Sequence, residues 1–274
     1  MKWTDKKRKT EYDDQELFMR NHKKHHHQVA LFRSLIFVFF IAIWEISANL
    51  QWIDAFFFSS PSRVLLCFWE LLSDGSLITH TAITLAETIA SFLLVFLCSL
   101  ITATLLWYSA KASEIMEPYM VILNSLPKSA LAPLFIVWLG TGTKTIIVAG
   151  ISVALFGSII SFYTGFKQVD PEKITLIYTL GGRKKDAFFK VVLPNSIPIL
   201  ISTTKVNIGL ALVGVIIGEF LAARHGLGYL IIYGSQVFQL NMVITSIIIL
   251  CVLAIGFYKV IQSIEHSIKK RYTI

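Results

Sequence analysis

The sequence predicts an all-α membrane protein, a bundle of six spans, and three observations predict it. The chain is 55% hydrophobic and only 15% charged, with a mean hydropathy of +0.66, whereas ordinary globular proteins carry about 25% charged residues. Six apolar runs approach or exceed the roughly 20 residues that cross about 30 Å of hydrocarbon: Ser34–Leu50, Thr81–Tyr108, Ile115–Leu139, Thr145–Phe166, Ile197–Ala222 and Met242–Lys259. The basic residues fall on one side if those spans alternate. Nine Lys/Arg lie in the first 33 residues, six between Lys167 and Lys190, and four from Lys259 onward; with Lys111 they make 20 of 25. The other side holds Arg63, Lys144 and Arg224. Positive residues stay in the cytoplasm, so both termini and the segment after the fourth span are expected there. Lipid cannot satisfy open backbone groups, which leaves helices as the spanning element here. The net charge of +8 follows this membrane asymmetry, and a nucleic-acid partner is excluded.

Taken in order, residues 1–33 form a polar basic tail expected to be disordered, and residues 34–274 the membrane domain. The tail's His22 and Lys23-Lys24-His25-His26-His27 fit either a solvated segment beside anionic headgroups or a metal-binding run. Its charged region is too long, and the following apolar run too extended, for a cleaved signal peptide. Cys67, Cys98 and Cys251 are widely spaced and read as buried small hydrophobes. After the first span, Ser60-Pro61 is a helix start. Val64, Leu65, Phe68, Trp69 and Leu72 then recur on one face, and Gly75 can end the helix. Such a short amphipathic helix belongs on the outer membrane surface.

The third span carries Pro127 and Pro133, six residues apart, which should kink it twice and free carbonyls inside the membrane. Lys128 sits between them. A lysine at that depth costs roughly 2.5–3.5 kcal/mol on insertion scales. Two roles fit it: a structurally paired lysine, or one lining a translocation path. Lys205 and Glu219 in the fifth span raise the same choice, and the acids Glu45 and Glu87 are further intramembrane partners for either lysine. Gly214 and Gly218 form a G-x-x-x-G face for close helix packing. Gly140-Thr141-Gly142-Thr143-Lys144-Thr145 resembles a phosphate loop only superficially, because it lacks G-x-x-x-x-G-K-[ST] between a strand and a helix. No nucleotide site is expected in this chain.

Between the fourth and fifth spans lies a polar island, DPEKITLIYTLGGRKKDAFFKVVLPNSIP, from Asp170 to Pro198. Asp170 can cap a helix with Pro171 in its first turn and Glu172 at the positive end of its dipole. That helix should end near Leu180, where Gly181-Gly182 permits a turn. A second should run to about Val192, ended by Pro194. The pair would expose Leu176, Ile177, Leu180 and Phe188 as a knob, and a helix knob in a partner's groove is a common recognition mode.

The spacing from Thr175 through Gly181, then nine residues, to Val191-Val192-Leu193-Pro194 resembles the EAA loop of binding-protein-dependent ABC importer permeases. The Glu-Ala-Ala triplet itself is here Thr175-Leu176-Ile177. The resemblance extends over roughly Phe58 to Arg271. It includes P-K-x-A-L-A-P-L at Pro127–Leu134, Glu219-Phe220-Leu221 and Gly226-Leu227-Gly228-Tyr229-Leu230, as in the nitrate/sulfonate/taurine and thiamine-precursor group. It implies a type I ABC importer permease fold in the plasma membrane, with a cytoplasmic coupling loop at 170–195. The implied partners are two copies of an ABC ATPase subunit, a second permease copy, an extracellular solute-binding protein and membrane lipid. The coupling residues would be Thr175, Leu176, Ile177, Leu180, Gly181, Leu193 and Pro194, and the path candidates Lys128, Lys205 and Glu219. ATP would be hydrolysed on the separate subunit, so no catalytic residue, cofactor or metal site is expected here. The solute would be a nitrate/sulfonate/taurine-like anion or a thiamine-precursor-like molecule. The alternative class is an ion-coupled secondary transporter using Glu45, Glu87, Lys128 and Glu219 as a relay.

Overall fold

A computed structural model describes residues 31–272, with His25, Gln28 and Val29 ahead of them. Most of the basic tail, including His22 and the Lys23–His27 run apart from His25, lies outside the described residues. Every regular element among the described residues is helical. The helices are α1 Leu31–Asn49, α2 Ala55–Phe58, α3 Pro61–Ser73, α4 Ser76–Tyr108, α5 Ala110–Ser125, α6 Lys128–Leu139 and α7 Thr143–Lys167. They continue with α8 Pro171–Thr179, α9 Lys184–Ala187, a π turn Phe188–Val192, α10 Leu193–Ala222, α11 Leu227–Gln236 and α12 Leu240–Tyr272. Among the described residues, five helical stretches are long and apolar enough to cross a membrane, and α5 with α6 makes a sixth if that bent pair is one span. The chain divides into two compact units, one ending at Leu65 and one starting at Leu66.

In the first unit, Asp54 caps α2 by accepting the Phe56 N–H at 2.8 Å. Ser60 accepts the Arg63 N–H at the start of α3. Glu45 on α1 accepts from both the N–H and the hydroxyl of Ser62, at 3.0 and 2.8 Å, and from Asn49. The predicted face of α3 divides: Val64 is buried, while Leu65 and Trp69 are 68% exposed.

The second unit is built on α4, α7 and α10, packed through small side chains. Thr84, Thr88, Ser91, Val95, Ser99 and Ala103 form a buried stripe along α4 at intervals of three and four. From it, Ser91 and Ser99 donate to the Ile147 and Leu155 carbonyls of α7, at 3.3 and 3.4 Å. On α10 the buried face runs Ala211, Gly214, Val215, Gly218 and Ala222. A Cβ on Gly214 would lie 2.7 Å from the Gly150 Cα and 2.8 Å from the Ala149 carbonyl, and one on Gly218 would lie 2.9 Å from the Ile146 Cα. The G-x-x-x-G face is thus the seam along which α10 meets α7. Where no hydrophobic force distinguishes helix from lipid, close backbone approach supplies the packing. Asn207 of α10 donates to Ser158 of α7 at 2.7 Å inside that seam.

The third predicted span is two helices bent by 95° between Ser125 and Lys128. Pro127 accounts for the break, since it has no N–H for the Leu123 carbonyl four residues back. Pro133 lies inside continuous α6 and Pro118 inside continuous α5, so one sharp bend replaces the two expected. The cysteines also differ from expectation: Cys98 and Cys251 are exposed, and Cys67 is half-buried. A small hydrophobe is equally at home on a surface that faces lipid.

Candidate functional site

Two clusters hold the residues that the sequence singles out. The first is the island. Asp170 accepts the Glu172 N–H at 2.9 Å and starts α8, with Pro171 in the first turn. The helix ends in a Schellman motif: Gly182 N–H reaches the Ile177 carbonyl at 2.8 Å, and Gly181 N–H reaches Tyr178 at 3.0 Å. That closure places Gly181 at φ +78°, a left-handed angle that disfavours side chains. A Cβ on Gly181 would meet nothing within 4 Å, whereas one on Gly182 would press on Ile177. The two glycines therefore answer different demands, conformation at Gly181 and space at Gly182.

Beyond the turn, Arg183 N–H donates to Asp186 at 2.9 Å, and Lys190 pairs with the same carboxylate at 3.4 Å. Lys184 donates to the Tyr108 carbonyl at 2.9 Å and lies over the Trp107 and Tyr108 rings, joining the island to the end of α4. Ala187, Phe188 and Val192 are buried. Phe188 packs on Trp107, Tyr108 and Phe166, with ring centroids 5.1–5.6 Å apart. Phe188 is therefore the anchor of the island and not part of an exposed knob, because it is the residue that enters the aromatic cleft between α4 and α7. Of the coupling candidates on α8 and its cap, Leu176 (57%), Leu180 (75%) and Thr175 are exposed, with Ile177 half-buried beneath the turn.

Pro194 also behaves differently from expectation. The helical path runs unbroken from Lys184 to Ala222, with half-buried Leu193 and Pro194 inside it. Leu193 N–H bonds the Phe188 carbonyl five residues back. This widened turn takes the ladder out of α register just before the proline, where an α turn would press the pyrrolidine ring on a carbonyl.

The second cluster surrounds Glu219, which is fully buried. Thr84 hydroxyl donates to one carboxyl oxygen at 2.6 Å, and Gly228 N–H donates to the other at 2.6 Å. Leu227 N–H donates back to Thr84 Oγ1, and Gly226 N–H to His80 Nδ1, both at 2.8 Å. The ring of His80 stacks on Tyr229. Any Cβ at Gly226 or Gly228 would collide with the Glu219 side chain. The segment Glu219 to Tyr229 is thus one folded polar knot, closed from α4 by Thr84, which both donates and accepts, and by His80, which accepts. Thr84 and His80 carry no motif in the sequence; only their spacing on the small-residue face of α4 points to them.

The path candidates are not gathered at one place. Lys128 Nζ donates to the Leu123 carbonyl, the group that Pro127 leaves without a donor, and lies 5.5 Å from the Phe156 ring centroid. Lys205 pairs with Glu265 of α12 and lies over Tyr258. The partners of these lysines are thus neither Glu87 nor Glu219 among the described residues. Lys205 finds its acid on a helix whose contact no local pattern announces, and Lys128 is taken up by the bend it adjoins.

Comparison with known proteins identifies the architecture. Residues 95–272 match the family described as "Binding-protein-dependent transport system inner membrane component". A probable ABC transporter permease protein of Haemophilus influenzae is 29% identical over 241 residues, covering 87% of this chain and 97% of that one. The formylaminopyrimidine transport permease protein ThiX of Halalkalibacterium halodurans is 27% identical, covering 86% and 94%. The putative aliphatic sulfonates transport permease protein SsuC of Bacillus subtilis is 28% identical, covering 77% of each. Among solved structures, an inward-facing MetNI methionine ABC transporter superposes with TM-score 0.60 at 19% identity, over 69% of this chain and 94% of that one. At that identity the likeness shows the fold alone, a type I ABC importer permease. Dependence on a binding protein implies a solute-binding partner and a separate ATPase that hydrolyses ATP. The chain belongs to the binding-protein-dependent inner membrane component family and is a multi-pass permease subunit of an ABC importer.

Proposed function

We propose that the island Asp170–Pro194 is the coupling element through which an ATPase subunit drives this permease. The observation that carries the reading is the division of labour within it. Leu176 and Leu180 stand exposed on a helix locked by the Schellman turn, while Ala187, Phe188 and Val192 fix the same segment to α4 and α7. Exposed leucines on a polar, basic segment favour a protein groove over lipid, and the buried anchor would pass their displacement into the bundle. Thr175, Ile177, Gly181, Leu193 and Pro194 shape this element. Two permease copies would pair with two ATPases, both termini and the island facing the cytoplasm. Residues 1–33 would be the cytoplasmic tail and 34–274 the transport domain. The solute would be a small sulfonate-like or aminopyrimidine-like molecule, as the names of the relatives suggest. Lys128, Lys205 and Glu219 would then hold the geometry of the path, since each has its bonding partners within the chain.

Orientation is tested with single cysteines at Thr141 and Lys184 in a cysteine-free background. An impermeant thiol reagent should label Thr141→Cys in intact cells and Lys184→Cys only after permeabilisation. Equal labelling of Lys184→Cys in intact cells would contradict the placement of the island.

A further inference from the structure

Helix α11 starts at Gly226, which has no side chain to cap it. Its opening amides are orphan donors that must be met from elsewhere. Three consecutive N–H groups find side chains on other helices. Gly226 reaches His80 Nδ1 at 2.8 Å, Leu227 reaches Thr84 Oγ1 at 2.8 Å, and Gly228 reaches Glu219 at 2.6 Å. His80 and Thr84 stand one turn apart on α4. Gly226 is also held against the buried acid, since a Cβ there would lie 2.4 Å from the Glu219 carboxyl. The bond to His80 is therefore what closes the turn over Glu219.

A threonine hydroxyl keeps its lone pairs at any working pH, but an imidazole does not. His80 can accept at Nδ1 only while the ring is neutral, with its proton on Nε2. The imidazolium carries a proton on both nitrogens and has no lone pair to offer. Histidine ordinarily changes charge at about pH 6.5, and His80 is half-buried, within reach of solvent protons. Once charged, it would point an N–H at the Gly226 N–H and set a cation at the positive end of the α11 dipole. The groups that face His80 are His225, with ring centroids 5.7 Å apart, Tyr229, on which it stacks at 6.0 Å, and Asp74, whose charge acts on it. Behind Gly226 lie Glu219 and the Glu87 carboxyl that it meets, and Arg224 is exposed two residues ahead. We propose that His80 is an acid-released latch on the Glu219 knot. Neutral, it holds Gly226 down on Glu219; protonated, it lets the start of α11 lift. The latch belongs to the fold and stands or falls independently of the island's coupling role.

The test follows hydrogen exchange of the Gly226–Gly228 amides in the full permease–ATPase complex in lipid nanodiscs. Protection is compared at about pH 7.5 and about pH 5.5, either side of the histidine range, after correction for the intrinsic pH dependence of exchange. It should fall by about tenfold in acid, as expected for one lost hydrogen bond. His80→Asn offers a carboxamide oxygen near the place of Nδ1 that does not titrate. It should hold protection within about threefold of the unmodified protein at neutral pH and lose most of the acid response. His80→Phe keeps a ring for Tyr229 but has no acceptor. It should be about tenfold less protected already at neutral pH, with no further fall in acid, and serves in place of His80→Asn if that variant yields too little folded protein. His225→Asn should leave the acid response intact. The proposal is overturned if protection is the same at both pH values, or if His225→Asn abolishes the response. It is equally overturned if the His80 variant used keeps the full response, which would assign it to Glu219, Glu87 or Asp74.

Discussion

The Glu219 knot and the island each turn on a glycine at positive φ, Gly226 and Gly181, yet they use their glycines to opposite ends. At Gly226 and Gly228 the missing side chains make room for a buried carboxyl, and the donors around it come from the chain itself. At Gly181 the missing side chain only permits a backbone angle; the space beside it is open, and the leucines it orients are exposed. The first region is satisfied within the chain, and the second is unfinished without something outside it. The contrast shows where to look for a partner: not where polar groups are most tightly held, but where apolar ones are held rigidly and left uncovered.

The contrast is broken first at the knot. Glu219→Ala removes the acceptor for the Gly228 N–H and the Thr84 hydroxyl and leaves both buried. Unpaired buried donors cost about 1–3 kcal/mol each, so a loss of about 3 kcal/mol or more is expected. In detergent this should lower the thermal midpoint by roughly 6–12 °C and reduce the amount of folded permease. A midpoint within about 2 °C of the unmodified protein would show that the knot is not structural.

A smaller effect is expected at the bend. Lys128→Ala leaves the Leu123 carbonyl without the donor that replaces the missing Pro127 N–H, at a cost of about 1 kcal/mol. The midpoint should fall by roughly 2–4 °C. Uptake lost with no change in midpoint would instead place Lys128 in the path. Thr175→Ala should do least. Its hydroxyl bonds the Pro171 carbonyl of its own helix at 3.0 Å, and an exposed position of this kind changes stability by less than about 0.5 kcal/mol. Uptake near that of the unmodified protein is expected, and a large loss would mean that Thr175 contacts the ATPase directly.

How much of this was legible in the sequence depended on the range of the interaction. The bend at Pro127, the α8 cap at Asp170, the turn at Gly181 and the seam at Gly214 and Gly218 arise from local rules of capping, missing donors and side-chain size. Pairings across the fold were not legible. Lys205 meets Glu265, sixty residues away, and Glu45 meets Ser62, seventeen residues away. Phe188 looked like a surface aromatic because its neighbours are basic, and only the cleft of Trp107, Tyr108 and Phe166 shows it to be an anchor. Pro194 looked like a helix end because nothing local announces the π turn that accommodates it. In the Glu219 cluster, Gly226-Leu227-Gly228 could be noticed as a motif, but Thr84 and His80 could not be assigned to it before α4 and α10 were brought together.

The most direct test of coupling through the island is solute-stimulated ATP hydrolysis by the reconstituted complex carrying Gly181→Val. Valine has room at this position but not the backbone angle, since φ is +78°. Forcing it costs on the order of 1–2 kcal/mol and is relieved by reopening the turn. The account predicts permease at its normal level in the membrane, with Phe188 still anchored, and stimulation of the ATPase abolished because Leu176 and Leu180 are turned away from their groove. Normal stimulation and normal uptake with Gly181→Val would contradict it.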